Sequence, residues 1–197
     1  MMKKLLLALG IFVFCISVTA FGGEPLNVLL LNDDGIEAEG LQTLKGRLED
    51  AGHLVTVVAP SGNASASSSG VNLGEIFTIT PFDAGEDIEN EFAVSRITQD
   101  QETIDPVPAT PVDCLVASAS ILDEPPDLII FGINDQHNTG RGTQVSGTVG
   151  GALGGASKLS PYDSLPSIAI NLEESFLPTP KSRPLSLRRL FRTLLIL

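Results

Sequence analysis

Tryptophan is absent from this 197-residue chain, and Tyr162 is its only tyrosine. A protein that holds a nucleic-acid strand by stacking its bases needs aromatic platforms, so that class of function is not expected. Basic residues are scarce as well. All 24 acidic residues fall between residues 21 and 180, against five basic ones, Lys45, Arg47, Arg96, Arg141 and Lys158, a net of −19 for that stretch. Such a body repels polyanions. It is compatible with a small phosphate ester where a metal ion supplies the positive charge locally. Cysteine occurs only at Cys15 and Cys114. The composition is otherwise globular, with 43% apolar and 18% charged residues, which excludes intrinsic disorder and suffices for one α/β domain with its own core.

The one long apolar run lies at the N-terminus. Lys3 and Lys4 precede an apolar stretch from Leu5 to Val18, too short to span a bilayer comfortably, and Val18-Thr19-Ala20 is a small-residue cleavage site. Residues 1–20 therefore read as a signal peptide cleaved near Ala20, giving a periplasmic or secreted chain with no stable membrane span; the competing reading is an uncleaved anchor. After cleavage Cys114 stands alone, so no intramolecular disulfide is expected. Its apolar surroundings suit buried filler.

Leu26–Leu31 is a short apolar run of the kind that makes a buried parallel strand. Leu41, Leu44 and Leu48 then recur at helical spacing, predicting a helix over residues 40–50 that Ala51-Gly52 ends. Leu54–Val58 is a second strand, completing a βαβ unit. Residues 60–70 form a loop with serines at 61, 65, 67, 68 and 69. Strands are expected at 77–79 and 92–97, within and beside a solvated, partly mobile acidic insertion over 81–105. Thr110-Pro111-Val112-Asp113 is a helix start, the helix running to about Leu122. Residues 127–131 form a strand that Gly132-Ile133-Asn134 leaves, Ser146-Gly147-Thr148 opens a helix rich in small residues, and 167–171 form the last strand. This alternation predicts an α/β fold, a three-layer, Rossmann-like open and mostly parallel sheet with helices on both faces.

Ligands of such sheets bind outside the carboxyl ends of the strands. That rule selects Asp33 and Asp34, the serine loop and Asn134. Two adjacent carboxylates at a strand end ionise together at low cost only with a cation between them. Oxygen donors from Asp, Ser and Asn suit a hard cation such as Mg²⁺ or Mn²⁺. Ser146-Gly147-Thr148 at a helix N-terminus suits a phosphate. Composition alone also allows a simple turn at Asn32–Gly35 and an ordinary N-cap at Ser146.

Asn32-Asp33-Asp34-Gly35, Val57-Val58-Ala59-Pro60 followed by Ser65, Thr110-Pro111-x-Asp113-Cys114, Gly132-Ile133-Asn134, Asn138, and Ser146-Gly147-Thr148-Val149 together resemble the SurE family, in its order and close to its spacing, over residues 26–172. The resemblance implies metal-dependent hydrolysis of nucleoside 5′- and 3′-monophosphates. It implies a divalent cation held by Asp33, Asp34, Ser65 and Asn134, with Asp33 or Asp34 orienting or deprotonating water. Ser146, Gly147 and Thr148 would grip the phosphate, with Asn63 and Asn138 completing the pocket. The chain departs from the family pattern at Ser61, where Asp is usual, at Gly62 and Ala64, where basic residues are usual, and at Asp135-Gln136-His137, where small residues and proline are usual. These departures lower the positive charge near a phosphate and leave a degenerate, inactive relative as the alternative.

Family members continue past the last matched strand into a hairpin segment that builds oligomers. Here a monomer or weak homo-oligomer is expected, the domain covering residues 21–180. Residues 181–197 differ from it, with five basic residues, no acids, and Leu187, Leu190, Phe191, Leu194 and Leu195 at helical spacing. They read either as an amphipathic tail or as the out-of-frame end of a truncated gene.

Overall fold

A computed structural model describes residues 24–82, 90–97, 106–162, 165–171 and 195–196. The expected signal peptide, most of the acidic insertion and residues 181–194 of the tail lie outside them. Strand β1 (Asn27–Leu31) leads through helix α1 (Glu39–Asp50) to β2 (Leu54–Pro60). Then come β3 (Ile76–Pro81), β4 (Glu91–Ile97), the two-residue β5 (Val107–Pro108) and α2 (Pro111–Ser118). The strand β6 (Leu128–Asn134), a 3₁₀ turn (Gly140–Gln144), α3 (Gly147–Gly155), β7 (Ser167–Asn171) and β8 (Leu195–Ile196) complete the order.

The strands form one sheet in the order β3-β4-β2-β1-β6-β7-β8, with β5 paired to β4. Pairings β4-β2, β2-β1, β1-β6 and β6-β7 are parallel, while β3, β5 and β8 join antiparallel. The expected open, mostly parallel sheet is what forms. Alternation along β1 explains the three layers. Val28 and Leu30 face the core beneath α1 with Leu41, Leu44 and Leu48. Leu29 and Leu31 face the opposite core with Leu115, Phe131, Val149 and Ala152, beneath α2 and α3. Strands buried on both faces read as continuous apolar runs, which is why β1, β2 and β6 were recognisable. Among the described residues no helix is long and apolar enough to cross a membrane.

Three details differ from expectation. Helix α2 stops at Ser118 rather than Leu122, because Ser120 and Ile121 donate to Ala117 and Ser118 in tighter i,i+3 bonds. Gly132-Ile133-Asn134 stays within β6, its pairing with β7 shifting register between Phe131 and Asn134. A glycine is required there: Gly132 has φ +131°, and the Ile170 carbonyl occupies the place of a Cβ. Leu195, expected on a helical stripe, belongs to β8, whose pairing with β7 registers Ala169 opposite Leu195.

Candidate metal and phosphate site

β1 and β6 run side by side, with Leu31 opposite Phe131. Asp33 and Asp34 therefore leave the sheet at the same end as Asn134. The chain runs from β1 to β2 on one side and later returns to β6 on the other, so this end is a topological switch point. The turn after β1 is fixed by Asn32, fully buried, which donates from Nδ2 to the Gly35 carbonyl at 2.8 Å and accepts the Gly35 N–H at 3.3 Å. The turn is tied to the serine loop by two further bonds. Ile36 N–H donates to the Pro60 carbonyl at 2.9 Å, and Ala64 N–H to the Asp33 carbonyl at 2.7 Å.

The two carboxylates have different surroundings. Asp33 is 2% exposed and accepts the Thr148 hydroxyl proton on Oδ1 at 2.6 Å. Asp34 is half-buried and accepts the Asp135 N–H on Oδ2 at 3.1 Å. Burial pushes the Asp34 carboxyl above the ordinary carboxylate range; the Asp135 N–H opposes this, and the charges of Asp33 and Asp135 add to it. Asn134, also buried, donates from Nδ2 to the Gln136 carbonyl at 2.6 Å, which fixes the plane of its amide.

Helix α3 brings the third part of the site. Ser146 is its N-cap and accepts the Val149 N–H at 3.2 Å. The N–H groups of Gly147 and Thr148 belong to the first turn, which has no acceptors within the helix. A Cβ on Gly147 would lie 2.7 Å from Asp33 Cβ and Oδ2 and 2.8 Å from Ser67 Oγ. Only glycine allows the helix so close to both. The Ser67 hydroxyl is buried and has no hydrogen-bond partner among the described residues.

The serine loop is anchored at several points. Ser68 donates its N–H to the Val145 carbonyl at 3.2 Å and its hydroxyl to the Gln144 carbonyl at 2.9 Å, and its backbone fills the space where Gly150 would carry a Cβ. Further on, Thr110 donates its hydroxyl to the Gly70 carbonyl at 2.7 Å. Asp113 closes the capping box of α2 and also accepts Asn72 N–H at 2.8 Å and Asn72 Nδ2 at 2.6 Å. The Thr110–Asp113 helix start thus holds the loop as well as the helix.

The structure brings together Asp33, Asp34, Asn134, Gly147 and Thr148 as the sequence suggested, with Ser146 beside them as the N-cap. Ser65 and Asn63 are exposed and meet locally, Ser65 N–H donating to Asn63 Oδ1 at 3.0 Å. Asn138 is partly buried in the loop after β6, its carbonyl accepting the Thr143 hydroxyl at 3.3 Å. Sequence reasoning missed Ser67. Five serines in one loop carry the same chemistry, and nothing local distinguishes the one that faces Asp33. A cavity of about 300 Å³ lined by Asn27, Leu54 and Pro126 lies at the other end of β1 and β2, away from these groups.

The residues fit a hard divalent cation. Among the described residues no three His, Cys, Asp or Glu side chains converge to hold an ion unaided. The donors are instead mixed oxygens: two carboxylates, an amide and serine hydroxyls, the set that Mg²⁺ and Mn²⁺ accept. The orphaned Ser67 hydroxyl beside Asp33 Oδ2 is further polar capacity at that point.

The family profile described as Survival protein SurE matches residues 28–191. This chain belongs to the SurE family. It is 40% identical over 148 residues to the 5′-nucleotidase SurE of Actinobacillus pleuropneumoniae serotype 5b (strain L20), covering 75% of this chain and 50% of that protein. It is 39% identical over 150 residues to the 5′-nucleotidase SurE of Microcystis aeruginosa, covering 76% of this chain and 49% of that one. The crystal structure of the SurE protein from Aquifex aeolicus superposes with a TM-score of 0.58 at 29% identity, over 74% of this chain and 50% of the other. The chain thus spans about half the length of the SurE proteins it matches. The profile match includes every residue of the site and runs into the basic segment after residue 180.

Proposed function

We propose that this chain is a divalent-cation-dependent phosphomonoesterase acting on nucleoside 5′-monophosphates, with 3′-monophosphates as further substrates. The observation that carries the reading is the meeting of Asp33, Asp34 and Asn134 with the N-terminus of α3 at one end of the sheet, in a chain whose relatives are named 5′-nucleotidase. Asp33, Asp34 and Asn134, with a serine-loop hydroxyl, would hold the ion. When bound, a divalent cation neutralises charge on phosphoryl oxygens and acidifies nearby water.

The protein groups divide the remaining work. Thr148 locks one oxygen of Asp33, leaving the other to face the site. Asp34, more accessible, orients the attacking water and accepts its proton. The first N–H groups of α3 point toward the phosphate, where the helix dipole favours an anion, and Ser146, whose hydroxyl proton is not used in capping, donates beside them. This division suits a body with few basic side chains.

A degenerate relative that binds cation or nucleotide without turnover is the second reading, favoured by Gly62, Ala64 and Asp135. The decisive assay measures phosphate release from AMP, GMP, 3′-AMP and para-nitrophenyl phosphate with Mg²⁺, Mn²⁺ or chelator. Cation-dependent release supports the enzyme; cation binding without release supports the degenerate form. Export with cleavage near Ala20, and a monomeric or weakly associating state, complete the proposal. N-terminal sequencing of a cell fraction and light scattering test them; an intact Met1 or a stable tetramer would contradict them.

A further inference from the structure

Asp135 follows Asn134 directly, and its N–H is the group that donates to Asp34 Oδ2 at 3.1 Å. Three covalent bonds separate that nitrogen from the residue's own carboxyl carbon, so the Asp135 charge is tethered beside Asp34. It does not converge with Asp33 and Asp34 as a third inner ligand, and it is exposed. The serine loop, residues 61–70, tied to the same turn through Ala64, contains no lysine or arginine.

We propose that Asp135 is a specificity-determining residue of this site, an outer carboxylate that strengthens binding of a divalent cation at Asp33 and Asp34 and weakens binding of the phosphate dianion beside it. The inference rests on the reading of the site given above. A negative charge tethered beside Asp34 would act on a cation and on a phosphate dianion held there with opposite sign. Because the residue is exposed, salt and water reduce both effects without reversing either. Asn at this position keeps the N–H bond to Asp34 and removes only the charge.

The test is calorimetry on the purified full chain, as wild type, Asp135→Asn and Asp135→Glu. Each is titrated with MnCl₂ and MgCl₂, and then with inorganic phosphate at saturating Mn²⁺. Asp135→Asn is expected to bind the cation roughly 3–10-fold more weakly and phosphate roughly 3–10-fold more tightly, a range set by screened Coulomb interaction. Asp135→Glu should restore both toward wild type, and raised salt should shrink both differences. Loss of both affinities together would make Asp135 structural and overturn the proposal, as would two constants unchanged within about twofold. A wild type that binds neither cation would overturn the reading of the site itself, a result separable from failure at Asp135 alone.

Discussion

Thr148 and Asp33, 115 residues apart in the chain, share a 2.6 Å hydrogen bond from the threonine hydroxyl to the carboxylate. Thr148 is fully buried and Asp33 nearly so. The bond joins α3 to the end of β1 and makes an acidic pair at a strand end tolerable before any ion arrives. A hydroxyl bonded to a buried charge contributes about 1.5–3 kcal/mol. Thr148→Val should destabilise the protein by about that amount in urea, and Thr148→Ser should restore most of it. Equal stability of all three would mean that Asp33 draws its support from elsewhere.

Gly147→Ala inserts a methyl group 2.7 Å from Asp33 Oδ2 and 2.8 Å from Ser67 Oγ. Asp33 Cβ, also 2.7 Å away, is fixed to the main chain and cannot swing aside, so α3 or the β1 turn has to move. Alanine is ordinarily the better helix former by up to about 1 kcal/mol. Here the substitution should instead lower stability and weaken binding of inorganic phosphate at saturating Mn²⁺ by roughly tenfold or more, the scale of a misplaced site. Gly46→Ala, where a Cβ meets nothing within 4 Å, is the control and should be neutral or stabilising. Parallel behaviour of the two variants would count against close approach at Gly147.

Much of this was legible beforehand, for physical reasons. Asp33-Asp34 after an apolar run, Asn134 after another and Ser146-Gly147-Thr148 before small residues mark strand ends and a helix start from local pattern alone. The glycines of α3 are legible only as small residues. Their purpose lies in what they approach, the Ser68 backbone at Gly150 and the Phe131 ring at Gly151, and contacts between distant segments leave no periodic trace. Ser67 was hidden among chemically identical neighbours, and the second task of Asp113, holding Asn72, needed the loop's path to be seen.

Ser67→Ala removes a buried hydroxyl that has no hydrogen-bond partner among the described residues. Deleting an unsatisfied polar group is neutral or stabilising, by up to about 1–3 kcal/mol. Thermal unfolding in chelator should therefore show Ser67→Ala at or above the wild type. Exposed Ser65→Ala should fall within about 0.5 kcal/mol of it, as surface substitutions usually do. A clear loss of stability in Ser67→Ala would show that the hydroxyl is already paired.

Asp34 sets a pH dependence whose sign is definite. Its carboxyl is raised in the folded state by burial and by its acidic neighbours. The native state therefore holds this proton more tightly than the unfolded chain does. The contribution is fully present below the ordinary carboxylate value and is lost as pH rises through the raised one. In chelator, Asp34→Asn should gain stability over wild type at neutral pH, and the gain should fade as pH falls through the raised value and be gone below the ordinary carboxylate value. Denaturant curves across that range check it; a gain independent of pH would assign the effect to something other than charge.

The most direct measurement is a calorimetric titration of Mn²⁺ into the wild type, Asp33→Asn and Ser65→Ala. An amide in place of the buried carboxylate cannot supply the charge that holds the ion, whereas a serine hydroxyl is a neutral and weaker ligand. Asp33→Asn should lose cation binding by roughly a hundredfold or more, about 2.7 kcal/mol, while remaining folded in chelator. Ser65→Ala should lose less. Unchanged Mn²⁺ affinity in a folded Asp33→Asn would place the ion elsewhere and contradict the proposed assignment of this strand end as the cation site.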